Sequence, residues 1–183
     1  VARQRDAGRT GYVKLLAIDP VYQGLGYGRQ LLRALENRLA PLQVDAIRPS
    51  ESAPNYLMPG IDVRYTQALL LFEAEGYERI GETFNLTAEL ADLPLDTEKR
   101  DKELRKAGIE IKRWESGNND SLQELLAAHW PPWQAELAQS QAMEPAALHL
   151  AMKAGQVVGF AGYDGNNLGT GWFGPMGTDP ACR

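Results

Sequence analysis

Three glycines at alternate positions, Gly24, Gly26 and Gly28, stand in the stretch "AIDPVYQGLGYGRQLL" (residues 17–32), between an aliphatic run and a helix-like one. A strand that passes through glycines into a helix N-terminus is a place for phosphate. The first-turn N–H groups lack intrahelical acceptors, the helix dipole has its positive end there, and missing side chains let an anion reach the backbone. Glycine also supplies the dihedrals such a turn demands. The spacing is not G-x-G-x-x-G, because Arg29 follows Gly28 and no further glycine comes, and no G-K-S/T ending makes a P-loop. Both of those nucleotide folds are disfavoured, while a phosphate-bearing ligand is kept.

The elements that must hold this loop can be read around it. Residues 11–18, "GYVKLLAI", form an aliphatic run closed by Asp19-Pro20 and predict a buried strand. From Gly26 to Ala40, Leu31, Leu35 and Leu39 recur every four residues with Leu32 beside them, and Pro41 closes an amphipathic helix. "VDAIR" is a short strand and "SESAPNYLMPG" a loop. Residues 64–75 make a second helix capped by Gly76, and "YERIGETFNL" (77–86) a further strand. A charged run without an apolar stripe, "ADLPLDTEKRDKELRKA" (91–107), is a linker, part of it helical.

Beyond it, "IEIKRW" is a strand and "DSLQELLAAHW" a helix capped by Asp120 or Ser121. "PPWQAELAQSQ" is a helix entered through prolines. Two antiparallel strands turning at Lys153 to Gly155 and a last glycine-interrupted strand, "GWFGPMGT", complete the order.

The two ends echo each other. "TGYVKLLAIDPVYQ" from Thr10 aligns without a gap on "TGWFGPMGTDPACR" from Thr170, an offset of 170 − 10 = 160 residues. A repeat that long suits a duplicated domain rather than a solenoid. The expected organisation is therefore the C-terminal half of one domain (1–90), a linker (91–107) and the N-terminal half of a second (108–183). Absence of an initiator methionine and a polar opening fit a fragment of something longer. Open edges of two half-sheets must be closed, by missing segments, by packing the halves into one permuted fold, or by swapping in a homodimer.

Composition narrows the class. With 183 residues, 44% hydrophobic and 23% charged, the chain is globular, and a net charge of −5 argues against nucleic-acid or anionic-membrane surfaces. The single cysteine, Cys182, forms no internal disulfide, and no Cys/His cluster has metal-site spacing. Without an apolar run long enough for a membrane span or a signal core, a cytoplasmic protein is expected.

The loop resembles the acetyl-coenzyme A signature of the GNAT acyltransferase superfamily. In that pattern a hydrophobic residue lies two before a proline, Gln or Arg follows, and then come glycine and a glycine or alanine. Ile18, Pro20, Gln23, Gly26 and Gly28 fill these positions. "ALLLFEAEGYERIGE" is similar to the family's later helix and strand, and the order of elements after the linker to the fold's front half. "PGIDVRYTQAL" and "GWFGPMGTDP" resemble bacterial proteins with two such domains in tandem. The resemblance implies an α/β fold, of α+β type, with a mixed, mainly antiparallel sheet flanked by helices. It implies acetyl-CoA as acyl donor and a small-molecule or peptide amine as acceptor. The backbone of Ala17 and Ile18 would pair with the pantetheine arm, and the amides of Gln23, Gly24, Leu25, Gly26, Tyr27 and Gly28 would hold the pyrophosphate.

Acetyl transfer to an amine also needs a base and an acid for the departing thiolate. The family's usual Glu position holds Lys14 here, with Gly174 in the second copy, and its usual Tyr position holds Phe72. Tyr56 and Tyr65 are the substitutes nearest in sequence, and Glu51, Asp62 and Arg64 flank the same loop as candidate contacts for a polar substrate. His129 and His149 have no sequence-placed partner acid or nucleophile. Two readings stay open: an acyl-CoA-dependent N-acyltransferase, or a non-catalytic acyl-CoA sensor or interaction module.

Overall fold

The computed structural model describes residues 2–5, 8–52, 56–94 and 96–183. Residues 53–55 of the predicted loop and Leu95 of the predicted linker lie outside the described residues. Two compact units follow each other, the first reaching from the N-terminal strand to Leu86 and the second from Thr87 to Arg183.

In the first unit β1 (Ala2–Arg5) pairs antiparallel with β2 (Gly8–Val13), and β2 pairs parallel with β3 (Ala46–Pro49). Parallel neighbours need a crossover, and α1 (Tyr27–Leu39) supplies it. A second helix, α2 (Thr66–Ala74), follows the loop after β3 and ends before Gly76 at φ 88°. Val13, Leu32 and Phe72 are the buried centre of this unit, with Leu16, Ile47, Ile61 and Tyr77 packed around them.

Three expectations are corrected here. The predicted strand over residues 11–18 stops at Val13, and residues 14–19 leave the ladder. The helix face that meets the core is centred on Leu32 and Leu39, whereas Leu31 and Leu35 are 46% and 37% exposed. The predicted strand at 77–86 carries no ladder: Ile80, Phe84 and Leu86 alternate correctly but stand exposed, because no strand among the described residues pairs with them.

The second unit opens with α3 (Glu98–Lys106), which occupies most of the predicted linker. Glu98 and Asp101 lie in its first turn, Arg105 and Lys106 in its last, and a Lys102–Glu98 pair spans 3.3 Å, so these charges suit the dipole. An antiparallel sheet follows in the order β4 (Ile109–Arg113), β5 (Leu148–Lys153), β6 (Gln156–Tyr163), β7 (Phe173–Thr178). Ala154 and Gly155 both take positive φ in the β5–β6 turn, as a tight hairpin requires. Two helices, α4 (Asn119–His129) and α5 (Gln134–Gln141), contact β5 or β6 of this sheet. Leu122, Leu125, Leu126, Leu137, Leu148, Leu150 and Phe160 form the core, rimmed by Trp114, Trp130 and Trp133.

Asp120 and Ser121 lie inside α4, so neither is its cap. Ser121 instead ties the helix to the sheet, its Oγ accepting from the Val157 amide at 2.8 Å and lying 3.0 Å from Gln156 Oε1. This mixed α/β architecture, with a mainly antiparallel sheet flanked by helices, matches the expected fold class.

One buried group in the second unit has a measurable consequence. Glu136 on α5 is 3% exposed, its Oε1 has no hydrogen-bond partner among the described residues, and burial raises its pKa above the ordinary carboxyl value. A carboxyl whose folded pKa is raised contributes stability that is complete below the unfolded pKa and lost as pH rises through the folded one. We therefore expect Glu136→Gln to flatten the decline in stability toward higher pH. Urea unfolding across pH 4 to 8 checks this, and parallel profiles of the two proteins would contradict it.

Candidate coenzyme-binding site

The path from β2 to α1 is set by one aspartate. Asp19 Oδ1 accepts from the Val21 amide at 2.9 Å, Pro20 fixes the next φ, and a single 3-10 turn, Pro20–Tyr22, is closed by Tyr22 N–H on the Asp19 carbonyl. Gln23 then runs extended, and its Nε2 donates to the Ile18 carbonyl at 3.0 Å, tying both ends of the turn together.

Gly24 and Gly26 have φ of 76° and 85°, in the left-handed region, and a Cβ built on either meets nothing within 4 Å. Their bareness leaves open space above the backbone. Gly28 has a different reason: a Cβ there would stand 3.2 Å from Leu71 of α2, so its size lets the second helix seat the first. Among the described residues, no acceptor takes the amide hydrogens of Leu25, Gly26, Tyr27, Gly28 or Arg29, and the first bond of the helix is Gln30 N–H to the Gly26 carbonyl. The mouth is an open hollow lined by Ala17, Ile18, Asp19, Tyr22, Tyr27, Gln30 and Leu31. Tyr22 and Tyr27 meet edge to face at 6.3 Å beside it.

Of the expected binding residues, Ala17, Ile18 and Tyr27 line this hollow together with Gln30 and Leu31 of α1, whereas Gln23, Gly24, Leu25, Gly26 and Gly28 are not part of its lining. Residues 15–18 lie outside any ladder, and among the described residues the main-chain groups of Leu15, Leu16 and Ala17 are left for another partner, while Gln23 uses the Ile18 carbonyl.

The candidate catalytic side chains are not assembled. Tyr65 is 64% exposed just ahead of α2, and Phe72, where the family pattern has its acid, is buried in the core against Tyr77 at 4.9 Å. Tyr56 is half-buried on the loop before α2. Lys14 is half-buried, and burial followed by the Arg3 charge lowers its pKa. Asp62 is bound by its neighbour Arg64, whose side-chain hydrogen bonds and then backbone amide hold its carboxyl at about 2. Glu51 forms an ion pair with Arg48. In the second unit His129 lies against Trp130 at 5.3 Å and His149 stacks on Tyr163 at 6.5 Å, each in an aromatic contact rather than beside a nucleophile. No group of three or more potential metal ligands occurs among the described residues, and no helix is long and apolar enough to cross a membrane.

Reasoning from sequence did not find Glu75. Its carboxylate takes Arg29 Nε at 2.7 Å and Arg33 Nε at 2.7 Å, closing the C-terminal end of α2 on the first two turns of α1. Nearby, Tyr77 donates its hydroxyl to Glu36 at 2.9 Å. The 46-residue separation of Arg29 and Glu75 carries no local signal.

The turn ahead of the loop recurs. Asp179 Oδ1 accepts from the Ala181 amide at 2.8 Å and begins the 3-10 turn Pro180–Cys182, with φ −47° and ψ 126° against −52° and 132° at Asp19. The echoed sequences thus share this turn, since 179 − 19 = 160, but not the segment before it, because residues 174–178 lie in β7 while residues 14–18 lie outside any ladder.

The model of the acetyltransferase (GNAT) family matches residues 1–49, the segment that holds β1, β2, the loop, α1 and β3. The first 49 residues are similar to GNAT acetyltransferases. Among solved structures, the glucosamine N-acetyltransferase region of a fungal multi-domain GH3 beta-N-acetylglucosaminidase, described as GCN5-related, aligns over 98% of this chain with a TM-score of 0.76 and 18% identity. The chain spans 24% of that protein's length, and the likeness is one of fold. No curated protein matches the chain.

Proposed function

We propose that the chain belongs to an acyl-CoA-dependent N-acetyltransferase and carries the loop that holds acetyl-CoA, its acyl donor substrate. The observation that carries this reading is the run of amides without acceptors from Leu25 to Arg29, opened by two left-handed glycines at a helix N-terminus. These donors suit a diphosphate, and the unladdered backbone at Ala17 and Ile18 suits a pantetheine arm that pairs with it as an added strand. The family match over the same residues supports the choice of acetyl-CoA among phosphate-bearing ligands.

In the transfer, the neutral acceptor nitrogen attacks the thioester carbonyl carbon, the C–N bond forms, the C–S bond breaks, the nitrogen gives up one proton to solvent, and the departing thiolate takes one up, so that amide and free thiol result. The acceptor is an amine, and the amino-sugar chemistry named for the fungal region makes glucosamine the first to try. The organisation that goes with this reading is two half-domains joined by the 91–107 segment, in a cytoplasmic protein that completes its sheets with further chain or a second copy.

A second reading is favoured by a specific observation. Phe72 and Lys14 replace the expected acid and base, and Phe72 is sealed in the core, so a non-catalytic acyl-CoA sensor would need the same loop and no more. A thiol-release assay with acetyl-CoA and a panel of amines including glucosamine separates the two. Steady turnover establishes the transferase. Binding of acetyl-CoA by calorimetry without turnover establishes the sensor, and no binding overturns both.

A further inference from the structure

Arg29 and Arg33 both reach Glu75, but they use it differently. Arg33 engages the carboxylate with two nitrogens, Nε at 2.7 Å and a terminal NH2 at 3.2 Å, as a clamp does. Arg29 engages it through Nε alone, at 2.7 Å. Its two terminal nitrogens, with four N–H donors, bind nothing among the described residues, and the side chain is 49% exposed. Arg29 is also the third residue of α1, within the turn whose amides lack acceptors. A guanidinium tethered at one edge and open at the other is already oriented, so little side-chain freedom is lost when an anion joins it.

From this geometry we propose that Arg29 is a ligand-binding residue of the loop, its terminal nitrogens taking a phosphoryl group of the bound nucleotide while Glu75 acts as the positioning residue that aims it. The inference rests on the acyl-CoA reading above. The phosphoryl group belongs either to the diphosphate or to the 3′-phosphate of coenzyme A, and the two share the same chemistry. Glu75 suits the aiming role because it is pinned by Arg33, and its side chain is 7% exposed although both arginines reach into solvent. The ionisable groups that face it are Arg29, Arg33 and Glu36 of α1 and Tyr77 just beyond α2, where Tyr77 holds Glu36 through its hydroxyl. Arg33 first, by its hydrogen bond, then Arg29, keep the Glu75 carboxyl below its ordinary pKa against the effect of burial.

The test is calorimetric titration of the full chain with coenzyme A and with dephospho-coenzyme A, for the wild type, Arg29→Gln, Glu75→Gln and the double variant. Arg29→Gln is expected to weaken coenzyme A about tenfold or more, with a smaller salt dependence. Loss confined to coenzyme A assigns the contact to the 3′-phosphate, and equal loss with both ligands assigns it to the diphosphate. Glu75→Gln should weaken binding in the wild-type background and change nothing further once Arg29 is gone, a non-additivity that loss of stability alone does not produce. Its binding should also lack the limb in which wild-type affinity falls as pH drops through the Glu75 titration.

Unchanged affinity of Arg29→Gln for both ligands overturns the proposal, and additive effects overturn the role of Glu75. If Glu75→Gln unfolds, Arg33→Gln loosens the same tether and takes its place in the cycle. Failure of the wild type to bind coenzyme A is a different result, because it removes the reading on which the inference rests.

Discussion

Gly26→Asp is expected to abolish coenzyme A binding, by a hundredfold or more, while the chain stays folded. Aspartate tolerates the left-handed region better than most residues, and a Cβ at Gly26 meets nothing within 4 Å, so the folded state loses only modest strain energy. The ligand meets a carboxylate placed where its diphosphate must sit. Two like charges about 4 Å apart repel by about 4 kcal/mol at the effective dielectric of a protein surface, and the diphosphate carries more than one charge. About 2.7 kcal/mol already accounts for a hundredfold.

Gly26→Ala separates the two contributions, since it brings the strain without the charge, and should cost only a few-fold. Circular dichroism together with calorimetry measures both. If Gly26→Asp binds coenzyme A as the wild type does, the ligand does not lie over this loop.

Leu32→Ala should be the most damaging single truncation in the first unit, at about 3 kcal/mol, within the usual range for a leucine lost from a packed core. Leu32 is 0% exposed and packs with Val13 and Phe72, the other two buried members of that cluster among the described residues. So small a core has little to redistribute. The same helix offers its own control: Leu35→Ala, at a side chain 37% exposed, should cost well under half as much. Since Leu32 seats α1, and α1 carries the loop, coenzyme A should restore part of the stability lost, by an amount that grows with its concentration. Urea unfolding with and without ligand gives both numbers, and equal costs at Leu32 and Leu35 would contradict the packing described.

How far the sequence carried this account depends on the range of the interaction concerned. The helix that opens after the glycines and the hairpin turn at Lys153 to Gly155 are local signals, and both elements stand where those signals put them, whereas the Asp-Pro stop lies six residues beyond the end of the ladder at Val13. Of the α1 stripe Leu31, Leu32, Leu35 and Leu39, packing buries Leu32 and Leu39, seven residues and about two turns apart, because a strict four-residue spacing drifts off one face of a helix that turns every 3.6 residues. Alternation at Ile80, Phe84 and Leu86 is the pattern of a strand that the structure does not form, because a strand needs a neighbour, and pairing is not encoded in the segment that seeks it. The charged run at 91–107, read as partly helical, holds α3, whose stability lies in dipole and ion pairs rather than an apolar stripe, so its bounds were not legible from periodicity. Glu75 was invisible for a further reason: its partners lie on a different helix, more than 40 residues away.

The most direct test is an amide-resolved titration of the nitrogen-15-labelled chain with coenzyme A. The account predicts that the largest downfield shifts fall on the amides of Leu25, Gly26, Tyr27, Gly28 and Arg29, with smaller ones at Ala17 and Ile18, and that they vanish in Gly26→Asp. Shifts that leave those five amides unmoved while others respond would contradict it.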